Sequence, residues 1–248
     1  MSLLCPFSPS SASRRHSCGK LPAILAILLL ASGLPLRAEL RREFQQNAHI
    51  ALPFKDSFDS AEGLGKFPPG WDGLNLDDSN GFSISNVNSS STPQALELFA
   101  LRPAAEGKTA TLFLIVEKSD ALWLTFDFYF DPKDNYFRAG LGTSGSMEFG
   151  VTGVNDRFYA VKREANGQMT NSPLPAEYLR PRQWNTISIG REANGGRIRI
   201  NGNVVDVETQ GSPQMDYVKF IIGSPDPKAA SSRLLIDNVT IDRVPVGE

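Results

Sequence analysis

Cysteine is nearly missing from the 248 residues: only Cys5 and Cys18 occur, and both precede residue 21. Histidine is as scarce, with His16 and His49 alone. No apolar run reaches the roughly 20 residues that cross a bilayer as a helix. The longest, LPAILAILLLASGLPL at 21–36, is interrupted by two prolines and a glycine. It follows Arg14, Arg15, His16 and Lys20 and precedes Arg37 and Ala38, the basic, apolar, small-residue order of a secretory signal. Cleavage is expected near Ala38, giving a product that is secreted, periplasmic or held at the cell surface. Loss of residues 1–38 removes four cations and no acid, leaving 21 basic against 27 acidic residues and a formal charge of −6. It also removes both cysteines, which excludes disulfide staples, thiolate metal sites and a cysteine nucleophile from the exported chain. An acidic chain without a basic aromatic tract does not suit nucleic acid. After cleavage no membrane attachment is expected.

What the sequence does have is alternation of apolar and polar residues. It recurs at 82–87, 94–101, 111–116, 122–130, 136–142, 147–152, 157–163, 184–190, 197–207, 218–223 and 234–241, with turn residues between. Short strands at this spacing, with no sustained helical period, indicate an all-β fold: a two-sheet antiparallel jelly-roll β-sandwich of about 13 strands. The domain organisation read from this is a signal at 1–38, a linker at 39–53 and the sandwich at 54–244. Asn201-Gly202 marks a type I′ hairpin, because both central positions need positive φ; Ile198 and Ile200 are expected to pair with Val205 and Val207. Pro173, Pro175 and Pro181 make 172–182 a loop; a helix has room only in AAEGK at 104–108 or in PAEYL, as a single turn in either.

Three separated pieces carry a family likeness. FKDSFDS with FPPGW, RQWNTISI leading into RIRINGNVV, and LLIDNVTI resemble the opening, middle and closing strands of concanavalin A-like, laminin G-like jelly rolls. That superfamily includes carbohydrate-binding domains and β-glucanases. The resemblance implies this fold for most of residues 54–243 and a polysaccharide or glycoconjugate as partner.

The glucanase branch carries E-x-D-x-x-E or E-x-D-x-E on one strand face, which sets two carboxylates at the separation hydrolysis needs. No such string occurs here; Asp127 and Glu148 each stand alone on their strands. YFRAG at 136–140 is similar to the YFKAG string of alginate-lyase jelly rolls, but their Gln-x-His is absent. His49, the one histidine outside the leader, reads as an exposed tail residue. No catalytic residue is assigned, so a lectin-like binding module is favoured over a glycoside hydrolase or lyase, or a structural sandwich. No cofactor is required.

In LLIDNVTI, Asp237 shares parity with Leu235, Val239 and Ile241 and is expected to face the core. A buried carboxylate needs a partner. In glucanase-like jelly rolls an aspartate of this strand often helps hold a structural Ca²⁺, and Asp56 and Asp59 would complete such a site. Backbone amides or an arginine satisfying Asp237 is the other reading. The loop DGLNLDDSNG at 72–81 is rich in oxygen ligands but is explained by Asn and Asp turn chemistry.

The candidate ligand face comes from LWLTFDFYF at 122–130. Its Leu and Phe residues share one parity and point inward, leaving Trp123, Asp127 and Tyr129 outward. The same rule places Tyr136, Arg138 and Glu148 outward on the next strands. If these six share one surface, aromatic rings stack on sugars while the charged groups bond hydroxyls. The competing reading is that another segment covers Trp123. Trp71 and Trp184 read as core or rim packing.

Overall fold

The computed structural model describes residues 49–59, 63–76, 80–86, 90, 93–100, 109–131, 136–143, 146–154, 157–164, 166–192, 195–209, 214–223 and 232–245. The expected signal and residues 39–48 of the linker lie outside these. So do AAEGK at 104–108 and Asp77 and Asp78 of the 72–81 loop.

Two antiparallel sheets face each other, with strands numbered in chain order. One sheet runs β13 (Asn203–Val207), β12 (Gly195–Ile200), β11 (Trp184–Glu192), β6 (Leu122–Phe130), β15 (Ser232–Asp242), β4 (Ala95–Ala100), β3 (Asn80–Ser85). β1 (Phe54–Asp56) pairs with the remaining length of β15. The other sheet runs β10 (Met169–Pro173), β9 (Arg157–Arg163), β8 (Ser146–Val154), β7 (Tyr136–Thr143), β14 (Met215–Ile222), β5 (Ala110–Ser119), β2 (Asp72–Leu74). This is an all-β, two-layer antiparallel sandwich.

The inward parity of LWLTFDFYF builds the centre of the core. Phe126 meets Phe220 edge-on at 5.2 Å between ring centres, and Phe128 meets Phe137 at 4.8 Å, so both contacts bridge the sheets. Trp71 is also core: it lies 5.8 Å from Phe220 and donates its Nε1–H to Asp56 Oδ2 at 2.8 Å. Such an indole fills a large volume while its one polar atom is satisfied at the rim.

Each expected strand is present, and two more join them. β2 and β10 are the outermost strands of one sheet, with a single neighbour each. An edge strand needs no continuous buried stripe and tolerates proline, so MTNSP gave no alternation and Pro173 closes a strand rather than opening a loop. One 3-10 turn, Ala176–Tyr178, occupies PAEYL. The Asn201-Gly202 turn has φ of 50° and 86° as expected. Its register corrects one pairing: Ile198 faces Val205, but Ile200 faces Asn203 and Val207 faces Gly196, because a two-residue turn places its flanking residues opposite each other.

Candidate functional site

The six proposed ligand residues do not share a surface. β6 belongs to the eight-stranded sheet, and β7 and β8 to the seven-stranded one. Trp123, Asp127 and Tyr129 therefore point away from one side of the sandwich, and Tyr136, Arg138 and Glu148 from the other. Parity separates inside from outside but does not say which outside, and the chain changes sheets between Phe130 and Tyr136.

On the eight-stranded side the outward residues are already engaged. Trp123 is 1% exposed. Its ring lies over Gly190, its cross-strand partner, so closely that a Cβ there would sit 2.5 Å from the indole. The Arg199 guanidinium covers the ring at 5.3 Å from its centre. The open stacking platform expected of Trp123 is thus corrected: it is a packed residue held between a glycine and a cation. Tyr129 is half-buried against Trp184, 5.8 Å between ring centres.

Asp127 and Asp237 are direct cross-strand partners on that same outer side. This corrects the inward orientation expected for Asp237. Asn238 has φ of 50°, and the β6–β15 register shifts between Asp237 and Thr240. The bulge reverses parity, so Leu235 and Asp237 face outward while Val239 and Ile241 face the core. Asp237, although 0% exposed, accepts hydrogen bonds from the Ser90 N–H (3.0 Å) and the Asn238 N–H (2.8 Å). Asp127 accepts from the Ser90 hydroxyl (2.7 Å), the Thr186 hydroxyl (2.7 Å) and Asn238 Nδ2 (2.8 Å). Ser90, from the β3–β4 connection, thereby spans the two carboxylates. Ser90→Ala is expected to lower stability by about 1.5 kcal/mol, the net value of a hydrogen bond to a charged group, read as a lower urea midpoint at unchanged slope.

The three residues named for a metal do not converge. Asp237 is turned toward Asp127, Asp56 is committed to the Phe58 N–H and the Trp71 indole, and Asp59 is exposed. Among the described residues no three Asp, Glu, His or Cys side chains gather as a metal would require. His49 is exposed, and its Nδ1 lies 3.1 Å from the Val116 carbonyl.

The seven-stranded side differs in character. Across it, Phe113 of β5, Lys219 of β14, Gly140 of β7, Gly150 of β8 and Val161 of β9 form one row of direct partners. A Cβ at Gly140 would stand 2.5 Å from the Phe149 carbonyl oxygen, and one at Gly150 would strike the Ala139 carbonyl. No side chain fits there, so the middle of the row is backbone, and Gly140 and Gly150 are themselves buried. Around it stand Arg138 and Tyr136 of β7, Tyr217 of β14, and Glu148, Arg163 and Tyr159 of the strands beyond. Arg138 donates to the Tyr136 hydroxyl at 3.1 Å. Glu148 accepts from Thr143 at 3.2 Å and lies 3.6 Å from Arg163.

Burial, reinforced by the positive charges of Arg138 and Arg163, lowers the Lys219 pKa to about 8. Its ammonium lies 5.6 Å from the Tyr217 ring centre, and that ring stacks on Phe113 at 5.2 Å. Burial, with the nearby Asp72 charge, pushes the Tyr217 phenol well above its ordinary value. Arg138, Arg163 and Lys219 thus gather on this face with Glu148, half-buried Tyr136 and Tyr159, and buried Tyr217.

No family model matches the sequence, and no curated protein sequence matches it. Solved structures do. The cellulose-induced protein Cip1 superimposes with a TM-score of 0.57 at 10% identity, covering 79% of this chain and 99% of its own. An endo-β-1,4-glucuronan lyase from the fungus Trichoderma reesei gives 0.51 at 14% identity, covering 77% and 95%. A carbohydrate esterase of the Shiga toxin-encoding bacteriophage phi24B gives 0.50 at 12%, covering 76% and 96%.

The fold is a concanavalin A-like jelly roll.

Within this jelly roll Tyr136, Arg138 and Glu148 are brought together, and Lys219, Tyr217, Tyr159 and Arg163 join them unforeseen. The one signal for the first two of these newcomers lies in DYVKFII, where Tyr217 and Lys219 alternate with Val218 and Phe220. A separate cleft of about 270 Å³ opens at the end of β11, β12 and β13, but Glu192, Asp206 and Glu208 line it with Arg197, which is paired to Asp206 at 2.7 Å. Its acids make it a poor host for an anion.

Proposed function

We propose that the outer face of the seven-stranded sheet binds an acidic glycan, one that carries carboxylates along an extended chain. The observation that carries this reading is the gathering of Arg138, Arg163 and Lys219 on a half-buried face, where burial and then the two guanidiniums lower the lysine's pKa. Glu148 offsets Arg163, and the positive charge left on Arg138 and Lys219 attracts ligands of the other sign. Arginine forks match carboxylates, and tyrosine rings offer faces to sugar C–H groups. The names of the similar folds, Cip1, a glucuronan lyase and a carbohydrate esterase, agree with a carbohydrate ligand. The basic, apolar, small-residue order at 14–38 supports export, which would bring the protein to extracellular polymers.

Calorimetric titration of the whole protein with a linear polyuronate and with a neutral β-glucan tests the reading. Saturable binding of the polyuronate that weakens with added salt is expected, because screening reduces attraction between exposed charges. Equal binding of the neutral chain would overturn it. The affinity is also expected to fall by about tenfold as pH rises through the Lys219 pKa, since one charge-assisted hydrogen bond is worth about 1.5 kcal/mol or more. Below about 8 the amine is protonated and attracts the ligand; above it the charge is lost.

A further inference from the structure

We infer that Asn166, in the β9–β10 turn, is a modification site at which the chain loses ammonia and becomes aspartate or isoaspartate, while Asn201, in the same dipeptide, is protected by its contacts. Asn-Gly occurs at four places, with asparagine at 80, 166, 194 and 201. As sequence the four are alike: glycine carries no side chain, so its nitrogen approaches the preceding carboxamide without obstruction. What separates them is how the fold holds each amide. Asn194 lies outside the described residues.

The step balances with water as the one co-reactant. The Gly167 nitrogen gives its proton to solvent and bonds to Asn166 Cγ. The Cγ–Nδ2 bond breaks, and Nδ2 leaves as ammonia with a proton from solvent. Water then opens the cyclic imide. Attack at Cγ gives aspartate; attack at the Asn166 main-chain carbonyl gives isoaspartate, in which the chain runs through the side chain.

Asn201 is fixed against this reaction. Its Nδ2 donates to the Tyr178 carbonyl and to Asn185 Oδ1, both at 2.8 Å, and its Oδ1 accepts the Thr186 N–H at 3.0 Å. Its own N–H donates to the Thr186 carbonyl at 2.9 Å, and the Asn185 side chain that anchors it is 1% exposed. The carboxamide cannot turn toward the Gly202 nitrogen without breaking all three side-chain bonds. Asn80 is protected differently: it is 5% exposed, in an extended strand opposite Ala100.

Asn166 has neither protection. It is exposed, and the one side-chain bond it makes among the described residues is at Oδ1, which accepts the Gln168 N–H at 2.9 Å. That donor stands at the oxygen that takes up charge when Cγ is attacked, so it assists the step. Nothing described holds Nδ2, the group that leaves. Gly167 has φ of 84°, and a Cβ there would meet nothing within 4 Å. Its N–H donates to the Glu164 carbonyl at 2.9 Å, a single bond of an exposed turn that has to open first. Either product places a new carboxylate in the turn that carries Glu164. Isoaspartate also lengthens the backbone between Arg163 and Met169, which are direct partners across the turn.

The test holds the full chain in warm, mildly alkaline buffer, folded in one arm and unfolded in concentrated urea in the other, and maps the peptides by chromatography and mass spectrometry. In the folded arm the Asn166 peptide is expected to gain the mass of an amide-to-acid change and to separate into aspartate and isoaspartate forms. Asn201 and Asn80 are expected to convert at least about tenfold more slowly, the factor that one net hydrogen bond already confers. In urea the three are expected to convert at comparable rates, because the contacts that distinguish them are gone. Asn166→Gln, whose extra carbon disfavours the ring, is expected to abolish the folded-state product and leave Asn201 unchanged. An Asn166 that stays an amide in the folded arm while it converts in urea overturns the inference, as does an Asn201 that converts alongside it in the folded chain. Aspartate formed without isoaspartate overturns the imide route.

Discussion

Arg138→Gln and Lys219→Met combined in one chain are expected to weaken binding of a linear polyuronate by about 10²-fold or more. Each cation contributes a charge-assisted hydrogen bond worth about 1.5–3 kcal/mol net, and about 1.4 kcal/mol is a factor of ten in affinity. The two side chains are diagonal neighbours across β7 and β14, so their effects couple, and each single variant is expected to show more than half the loss. Stability should move the other way. The Lys219 pKa of about 8 lies below its ordinary 10.5, so between those values the unfolded chain holds a proton that the folded chain has released. Folding stability from this residue therefore rises with pH across that window, and below about 8 the full cost of charging the lysine remains. Lys219→Met removes that cost, so at about pH 7 it is expected to stabilise the sandwich while it weakens ligand binding. Denaturant unfolding beside calorimetry reads both. A lysine kept for structural reasons would instead lower stability when replaced.

Trp123→Ala is expected to do the opposite: a loss of about 3–5 kcal/mol of folding stability, with polyuronate affinity unchanged. Its indole is sealed between Gly190 and Arg199 on the far side of the sandwich from the cation face. Truncation leaves a void the size of the ring and strips Arg199 of its aromatic contact. A variant that stays as stable as the parent, or that loses glycan affinity while remaining folded, would contradict this placement.

The inward half of the fold was legible because alternation is a local signal. Leu122, Leu124, Phe126, Phe128 and Phe130 announced a core strand, and Asn201-Gly202 announced its hairpin. Adjacency was not legible. Asp127 and Arg138 both read as outward, yet nothing near either one states that the chain changes sheets between them. Lys219 meets Gly140 only through a β7–β14 pairing that joins distant parts of the chain. Asp237 was misplaced because a bulge at Asn238 reverses parity within one strand. The Asn there was the available hint, since asparagine tolerates positive φ better than most residues. β2 and β10 went unread because edge strands bury little and leave no periodic trace.

In a crystal structure of the protein with a uronate oligosaccharide, the sugar is expected on the outer face of the seven-stranded sheet, with a carboxylate within hydrogen-bond reach of both Arg138 and Lys219. An oligosaccharide seated instead on the eight-stranded side, or in the acidic cleft beside Glu192 and Asp206, would contradict it.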